Sequence, residues 1–388
     1  MTMDHIIPFT CHVPEAELLD LRKRLAQTRW PDAGTVADWS QGAPIAELRA
    51  LITYWQDGYD WRRFETRLNT FPQFRTYIDG LSFHFLHVRS PHVDALPIVL
   101  THGWPGSVIE FLKLIEPLAD PTAHGGDAAD AFHVVVPSLP GYGFSEKPTA
   151  PGWTLDRIAD AWAGLMGRLG YSRYVAQGGD WGAIITTRMA QKRVKGLCGI
   201  HLNYPQVFPH PVPTSGLSKE EQRAVDAWAA FERDEGGYAH LQSTRPQTLG
   251  YALADSPAGQ AAWLFEKFHT WTDHPADEVS ALSRDEMLDE ISLYWLTDTA
   301  ASSARLYFEN AAGGLKSNIV DLPVGCSIFP REVPRAPRRW AQQCFPNLIH
   351  WRELDRGGHF AAFEQPELFT QELRDCFRSF RLTQNQER

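Results

Sequence analysis

Tyr174-Val175-Ala176-Gln177-Gly178-Gly179-Asp180-Trp181-Gly182 is the stretch that decides the fold. A short apolar run ends in a glycine-rich turn, and the spacing over Gly182–Val194 then predicts a helix. Small residues at 178 and 182 suit a sharp strand-to-helix turn. A side chain at position 180 would then project at the C-terminal edge of a sheet, where a nucleophile belongs. Taken alone, Gly-x-Asp-x-Gly also fits an incidental aspartate capping a helix. The neighbouring segments favour the first reading.

An aspartate at that turn selects chemistry. A serine oxygen that attacks a saturated carbon leaves an ether, which water cannot readily cleave. A carboxylate that attacks the same carbon leaves an ester, and water can attack that ester's carbonyl. Asp180 therefore suits displacement at saturated carbon, either epoxide opening or carbon–halogen cleavage. It argues against a serine-type esterase.

Outward from the turn, short apolar runs at Pro97–Thr101, Phe132–Pro137 and Leu197–Leu202 read as strands, each bounded by Gly or Pro. Helical spacing over Leu155–Leu169 lies between them. Strands alternating with helices predict an α/β fold with a mostly parallel sheet and helices on both faces. The rhythm stops after Asn203. Pro205, Pro209, Pro211 and Pro213 mark a hinge, and residues 218–312 read as helical. Strand signals return at Leu322–Phe329 and Leu348–Leu354. Upstream, Leu18, Leu21 and Leu25 form one helical stripe, Ile45, Leu48, Ile52 and Trp55 a second, and Trp61, Phe64 and Leu68 a third. Asp79-Gly80 within Phe74–Val88 is a hairpin signal. The expected organisation is an N-terminal appendage at 1–90, an α/β core at 91–204 and 317–388, and a helical lid inserted at 205–316.

Chain order then places the partners. In an α/β-hydrolase core the acid and the histidine follow the nucleophile. Glu332 follows the strand at Leu322–Phe329, whereas Asp321 precedes it and Glu353 and Asp355 belong to the final strand. His359, in Arg356-Gly357-Gly358-His359-Phe360, follows the last strand. Thr101-His102-Gly103-Trp104-Pro105-Gly106-Ser107 follows the strand that should supply half of an oxyanion hole. The expected donors are the backbone N–H groups of Trp104 and Trp181, each worth about 3–4 kcal/mol of barrier. An opened epoxide also needs a donor for its ring oxygen. The lid offers Tyr238, Tyr251, Tyr294 and Tyr307, and spacing does not choose among them.

These motifs resemble the microsomal-type epoxide hydrolases of the α/β-hydrolase superfamily. The likeness covers nearly the whole chain. It includes Ile6–Trp30 ending in Thr28-Arg29-Trp30-Pro31-Asp32, His102–Ser107, Gly178–Gly182 and Gly357-Gly358-His359-Phe360-Ala361-Ala362. In the lid it includes Gly237–Gln242, Thr244–Thr248, Ala254–Pro257 and Ser303–Asn310. The resemblance implies Asp180 as nucleophile, Glu332 as acid, His359 as base, and Tyr238 and Tyr307 as donors to the ring oxygen. It implies hydrolysis of an epoxide to a vicinal diol without metal or cofactor. Mammalian members carry a membrane anchor, whereas this sequence begins directly with the wrapping segment, so no membrane partner is expected. The rivals are a haloalkane or haloacid dehalogenase, which the two lid tyrosines argue against, and a catalytically silent binding module, which would lack a triad member.

Composition narrows the partners. The net charge is −10 and the densest basic stretch, Arg331–Arg339, is interrupted, so nucleic acid is a poor partner. Fourteen Trp and 21 Phe favour aromatic-lined clefts and a hydrophobic epoxide. Five scattered Cys without a Cys-x-x-Cys fit a reducing cytoplasm. The sequence leaves the particular epoxide and the oligomeric state, a homo-oligomer included, open.

Overall fold

In the computed structural model, which describes residues 5–311 and 319–382, the apolar runs become strands of one sheet. They are β1 (Ile7–Phe9), β2 (Gln73–Ile78), β3 (Leu81–Val88), β4 (Leu96–Thr101), β5 (Phe132–Pro137), β6 (Tyr174–Gly178), β7 (Leu197–Leu202), β8 (Val324–Ile328) and β9 (Leu348–Glu353). Among the described residues the order is β1-β2-β3-β5-β4-β6-β7-β8-β9. The pairs from β1 to β5 run antiparallel, and those from β5 through β4 to β9 run parallel. Every residue of β4 and β6 is buried, as expected for strands covered on both faces.

The predicted strands and the observed ones differ by a residue or two at their ends. β1 escapes the sequence reading because three residues on the sheet edge carry too little pattern. The hairpin between β2 and β3 turns at Asp79 and Gly80, both with positive φ, in register Ile78 opposite Leu81. That left-handed pair is what Asp-Gly supplies in a two-residue turn. The hairpin continues the sheet, so the N-terminal segment and the core share one layer.

Three helices precede the hairpin: α1 (Glu15–Ala26), α2 (Ile45–Asp57) and α3 (Trp61–Leu68). α1 buries Leu18, Leu21 and Leu25, and α3 buries Trp61, Phe64 and Leu68. Each buried side chain of this kind contributes about 1.5–3 kcal/mol. α2 buries Leu51, Ile52 and Trp55, while Ile45 and Leu48 at its first turn stay half-buried. Core helices α4 (Leu112–Ala119), α5 (Leu155–Arg168) and α6 (Asp180–Gln191) cover the sheet.

The segment after Asn203 forms α7 (Lys219–Asp234), α8 (Gly237–Thr244), α9 (Pro246–Asp255), α10 (Pro257–Thr270), α11 (Arg284–Leu296) and α12 (Ala300–Asn310). α7 and α11 start at full capping boxes, Ser218 with Glu221 and Ser283 with Glu286. The N-terminal helices pack on this insertion, α2 against α10 and α3 against α11. The predicted lid end at residue 316 lies outside the described residues.

Register places the chemistry. Thr101 at the end of β4 is paired with Gly178 at the end of β6. The loop after β4 and the turn after β6 therefore emerge side by side. Their approach is close enough that a Cβ on Gly182 would lie 1.9 Å from Thr101 O, and one on Gly178 would lie 2.0 Å from Gly182 O. Both contacts are with backbone, which has no room to yield. The ends of β8 and β9, Ile328 and Glu353, pair at the same edge of the sheet.

Candidate active site

Asp180 opens α6 with φ +47°, a left-handed backbone that costs a non-glycine residue about 1–3 kcal/mol. The strain turns its carboxylate out of the sheet edge. Gly103 makes room for it, since a Cβ there would lie 2.0 Å from Asp180 Oδ1. The Trp104 N–H donates to Asp180 Oδ1 at 2.7 Å, and the Trp181 N–H also donates to this carboxylate. Burial raises the Asp180 pKa, opposed by the charge of His359 and by those two N–H donors.

The other oxygen faces His359. Asp180 Oδ2 lies 3.7 Å from His359 Nε2, and His359 Nδ1 lies 2.9 Å from Glu332 Oε1. Glu332 is buried on the loop after β8. Burial alone would lower the His359 pKa, but the Glu332, Asp180 and Glu110 carboxyls outweigh it and push it up to about 9. The competing acids lie elsewhere: Asp321 pairs with Arg193 and Glu353 with Arg335.

Above Asp180 stand two of the four tyrosines. Tyr238 and Tyr307 are buried and hydrogen-bonded to each other through their hydroxyls. Their rings are set by indoles. Trp104 stacks on Tyr238 with centroids 4.9 Å apart, and Trp181 meets Tyr307 edge-on at 4.7 Å. Burial, reinforced by neighbouring charge and phenol groups, holds both phenols well above their ordinary range. They stay neutral donors across physiological pH. Tyr251 is 71% exposed, and the Tyr294 hydroxyl is committed to the Gly106 carbonyl at 2.9 Å. The structure thus brings Asp180, Glu332, His359, Tyr238, Tyr307 and the N–H groups of Trp104 and Trp181 to one place.

It also brings in residues that the sequence pattern does not reveal. A cavity of about 30 Å³ beside Asp180 and His359 is lined by Tyr204, Phe231 and Trp271 as well as Tyr238. Glu110 accepts the Gly103 N–H, and burial with the Asp180 charge pushes its pKa up to about 8. Its place three residues after Ser107, at the first turn beyond the loop, is the one signal that points to it. A larger cavity of about 680 Å³ between residues 140–153 and α12 touches none of the candidate side chains. The candidate side chains Asp180, Tyr238, Glu332 and His359 line the small cavity instead.

The sequence carries an epoxide hydrolase N-terminus over residues 6–111 and an α/β hydrolase fold over residues 97–234. It is 38% identical to epoxide hydrolase 1 of Sus scrofa, over 96% of this chain and 88% of that one. The chain belongs to the epoxide hydrolases. A protein of Stigmatella aurantiaca that carries a provisional epoxide hydrolase name is 64% identical over 97% of this chain and 86% of its own length. The Aspergillus niger epoxide hydrolase structure superposes with a TM-score of 0.86 at 33% identity, covering 97% of this chain and 96% of the other. The juvenile hormone epoxide hydrolase of the silkworm Bombyx mori gives a TM-score of 0.87 at 30% identity, covering 98% of this chain and 96% of the other. The chain is thus an epoxide hydrolase with the α/β-hydrolase fold. Among its described residues no helix is long and apolar enough to cross a membrane.

Proposed function

We propose that this epoxide hydrolase works through an ester on Asp180. Tyr238 and Tyr307 donate hydrogen bonds to the epoxide oxygen. Asp180 Oδ2 attacks one ring carbon, the carbon–oxygen bond breaks, and its electron pair goes to the ring oxygen, which takes a proton from a tyrosine. The His359 imidazolium returns a proton to that tyrosinate, and the neutral imidazole then removes a proton from water as the water attacks Asp180 Cγ. Negative charge builds on the carboxyl oxygen, which the Trp104 N–H meets at Oδ1 with the Trp181 N–H also donating to the group. Collapse expels the diol oxygen, which takes that proton from His359, and the remaining water proton passes from the Asp180 carboxyl to His359, restoring the carboxylate and the imidazolium.

The observation that carries this reading is the division of labour at one carboxylate. Oδ1 meets the Trp104 N–H, the Trp181 N–H also donates to the carboxylate, and Oδ2 faces the histidine. Electrostatics fit both steps. The Asp180 charge helps hold His359 protonated in the free enzyme. Esterification removes that charge, so the His359 pKa falls when a base is needed. Glu332 keeps the ring oriented and supports the imidazolium. The aromatic lining suits a hydrophobic epoxide, and no step requires a metal or cofactor.

A single turnover in ¹⁸O-water with enzyme in excess tests the scheme. The first diol should be unlabelled, because its new oxygen comes from Asp180, and label should appear in the carboxylate. Full label in the first diol would mean direct attack by water and would refute the ester.

A further inference from the structure

We infer that Glu290 is a positioning residue for the oxyanion loop at residues 102–107. This inference rests on the Asp180 ester reading.

α11 presents two faces at helical spacing. Asp285, Asp289 and Ser292 turn toward the N-terminal helices. Tyr54 Oη donates to Asp285 at 2.8 Å, Tyr59 Oη to Asp289 at 2.8 Å, and Trp55 Nε1 to Ser292 at 2.9 Å. Arg63 adds a 2.7 Å ion pair with Asp289. Glu286, Glu290 and Tyr294, at successive intervals of four residues, turn toward the core. Lys113 pairs with Glu286 at 2.5 Å, Ser107 Oγ donates to Glu290 Oε1 at 3.0 Å, and Tyr294 Oη donates to the Gly106 carbonyl at 2.9 Å.

The helix is therefore fixed on one side and grips the oxyanion loop on the other. The far end of the loop is fixed as well. Leu139 N–H donates to His102 Nε2 at 3.2 Å, and His102 Nδ1 meets Gly103 O at 2.9 Å. Trp104 lies between these anchors, with its N–H on Asp180. A buried carboxyl is a costly way to hold a serine unless the loop's position matters. Glu290 is fully buried, the Ser107 N–H also meets its carboxyl, and among the described residues its Oε2 has no hydrogen-bond partner of ordinary geometry. Burial and the neighbouring Glu110 carboxyl raise its pKa well above the usual range, so it holds the loop as a neutral acid. Glutamine, neutral and of similar shape, should then replace it, and leucine should not.

Glu290 takes no direct part in either chemical step. Its loss should act on the step that needs the oxyanion donors, the breakdown of the ester. Styrene oxide is mixed with excess enzyme, and acid-quenched samples are followed by intact-protein mass spectrometry. Glu290→Leu should slow ester decay about tenfold, and Glu290→Gln should stay within about twofold of wild type. Ser107→Ala, which removes the same bond from the other side, should slow decay similarly. The Ser107→Ala/Glu290→Leu double variant should be no slower than the slower single one. Wild-type ester decay in folded Glu290→Leu overturns the inference. If that variant does not fold, wild-type decay in Ser107→Ala overturns it. Equal losses in the Gln and Leu variants also overturn it, because they would make the charge itself the requirement. Diol formation by the wild type with no ester in any quenched sample overturns the Asp180 reading, and the inference with it.

Discussion

His359 Nε2 lies 3.7 Å from Asp180 Oδ2. That is too long for a hydrogen bond and short enough for strong coupling of the two charges. The same imidazole is 2.9 Å from Glu332. A cation between two carboxylates is stabilised in the folded chain, and this makes its protonation measurable.

The His359 pKa stands at about 9, above its ordinary 6.5. A raised base contributes stability that is fully present below pH 6.5 and is lost as pH rises through about 9. The melting temperature of wild type minus that of His359→Gln should therefore fall between pH 6.5 and 9. Thermal melts across that range check it. A difference that grows with pH would mean His359 is neutral in the folded protein.

Glu332→Gln should leave the fold intact and lower kcat by roughly 10³-fold, since the acid holds the histidine's tautomer and supports its charge. Ester should accumulate in this variant, because ring opening does not need the base. Steady-state rates beside quenched mass spectra check both statements. A fall in kcat with no accumulated ester would place Glu332 in ring opening instead.

Tyr238→Phe and Tyr307→Phe should each lower the rate of ester formation by about 10–100-fold, and the double variant by about 10³-fold or more. Both hydroxyls are buried and bonded to each other, so circular dichroism should be unchanged. Single-turnover ester formation is the measurement. A double variant that forms ester at the wild-type rate would remove the tyrosines from the mechanism.

Gly182→Ala should lower stability by about 1–3 kcal/mol or prevent folding, because the new Cβ meets the Thr101 carbonyl at 1.9 Å. Gly167→Ala is the matched control. It lies in α5 with nothing within 4 Å of the added Cβ, and should stabilise by about 0.5–1 kcal/mol. Chemical denaturation of both variants checks the opposite signs.

Much of the fold is legible in the amino-acid sequence alone. The parallel strands are buried on both faces, so they read as short apolar runs with clear punctuation. Asp180, Glu332 and His359 can be named from chain order, because each follows a strand end on the same sheet edge. The tyrosines are not separable by spacing. Tyr238 and Tyr307 meet only because α8 and α12 pack together, while Tyr251 faces solvent from the adjoining helix. Glu110 escapes because its burial comes from tertiary packing. Its local sequence, Val108-Ile109-Glu110-Phe111, looks like an ordinary helix start. The acids of α11 escape for the same reason, since their partners across the fold lie more than 170 residues away in sequence.

The central claim is that Asp180 itself becomes esterified, and His359→Gln tests it most directly. Mixed with styrene oxide and analysed by intact-protein and peptide mass spectrometry, this variant should gain the mass of one epoxide. The added mass should map to the peptide containing Asp180, and diol release should be slow or absent. An unmodified mass under conditions where the wild type turns over the same epoxide would contradict the ester mechanism.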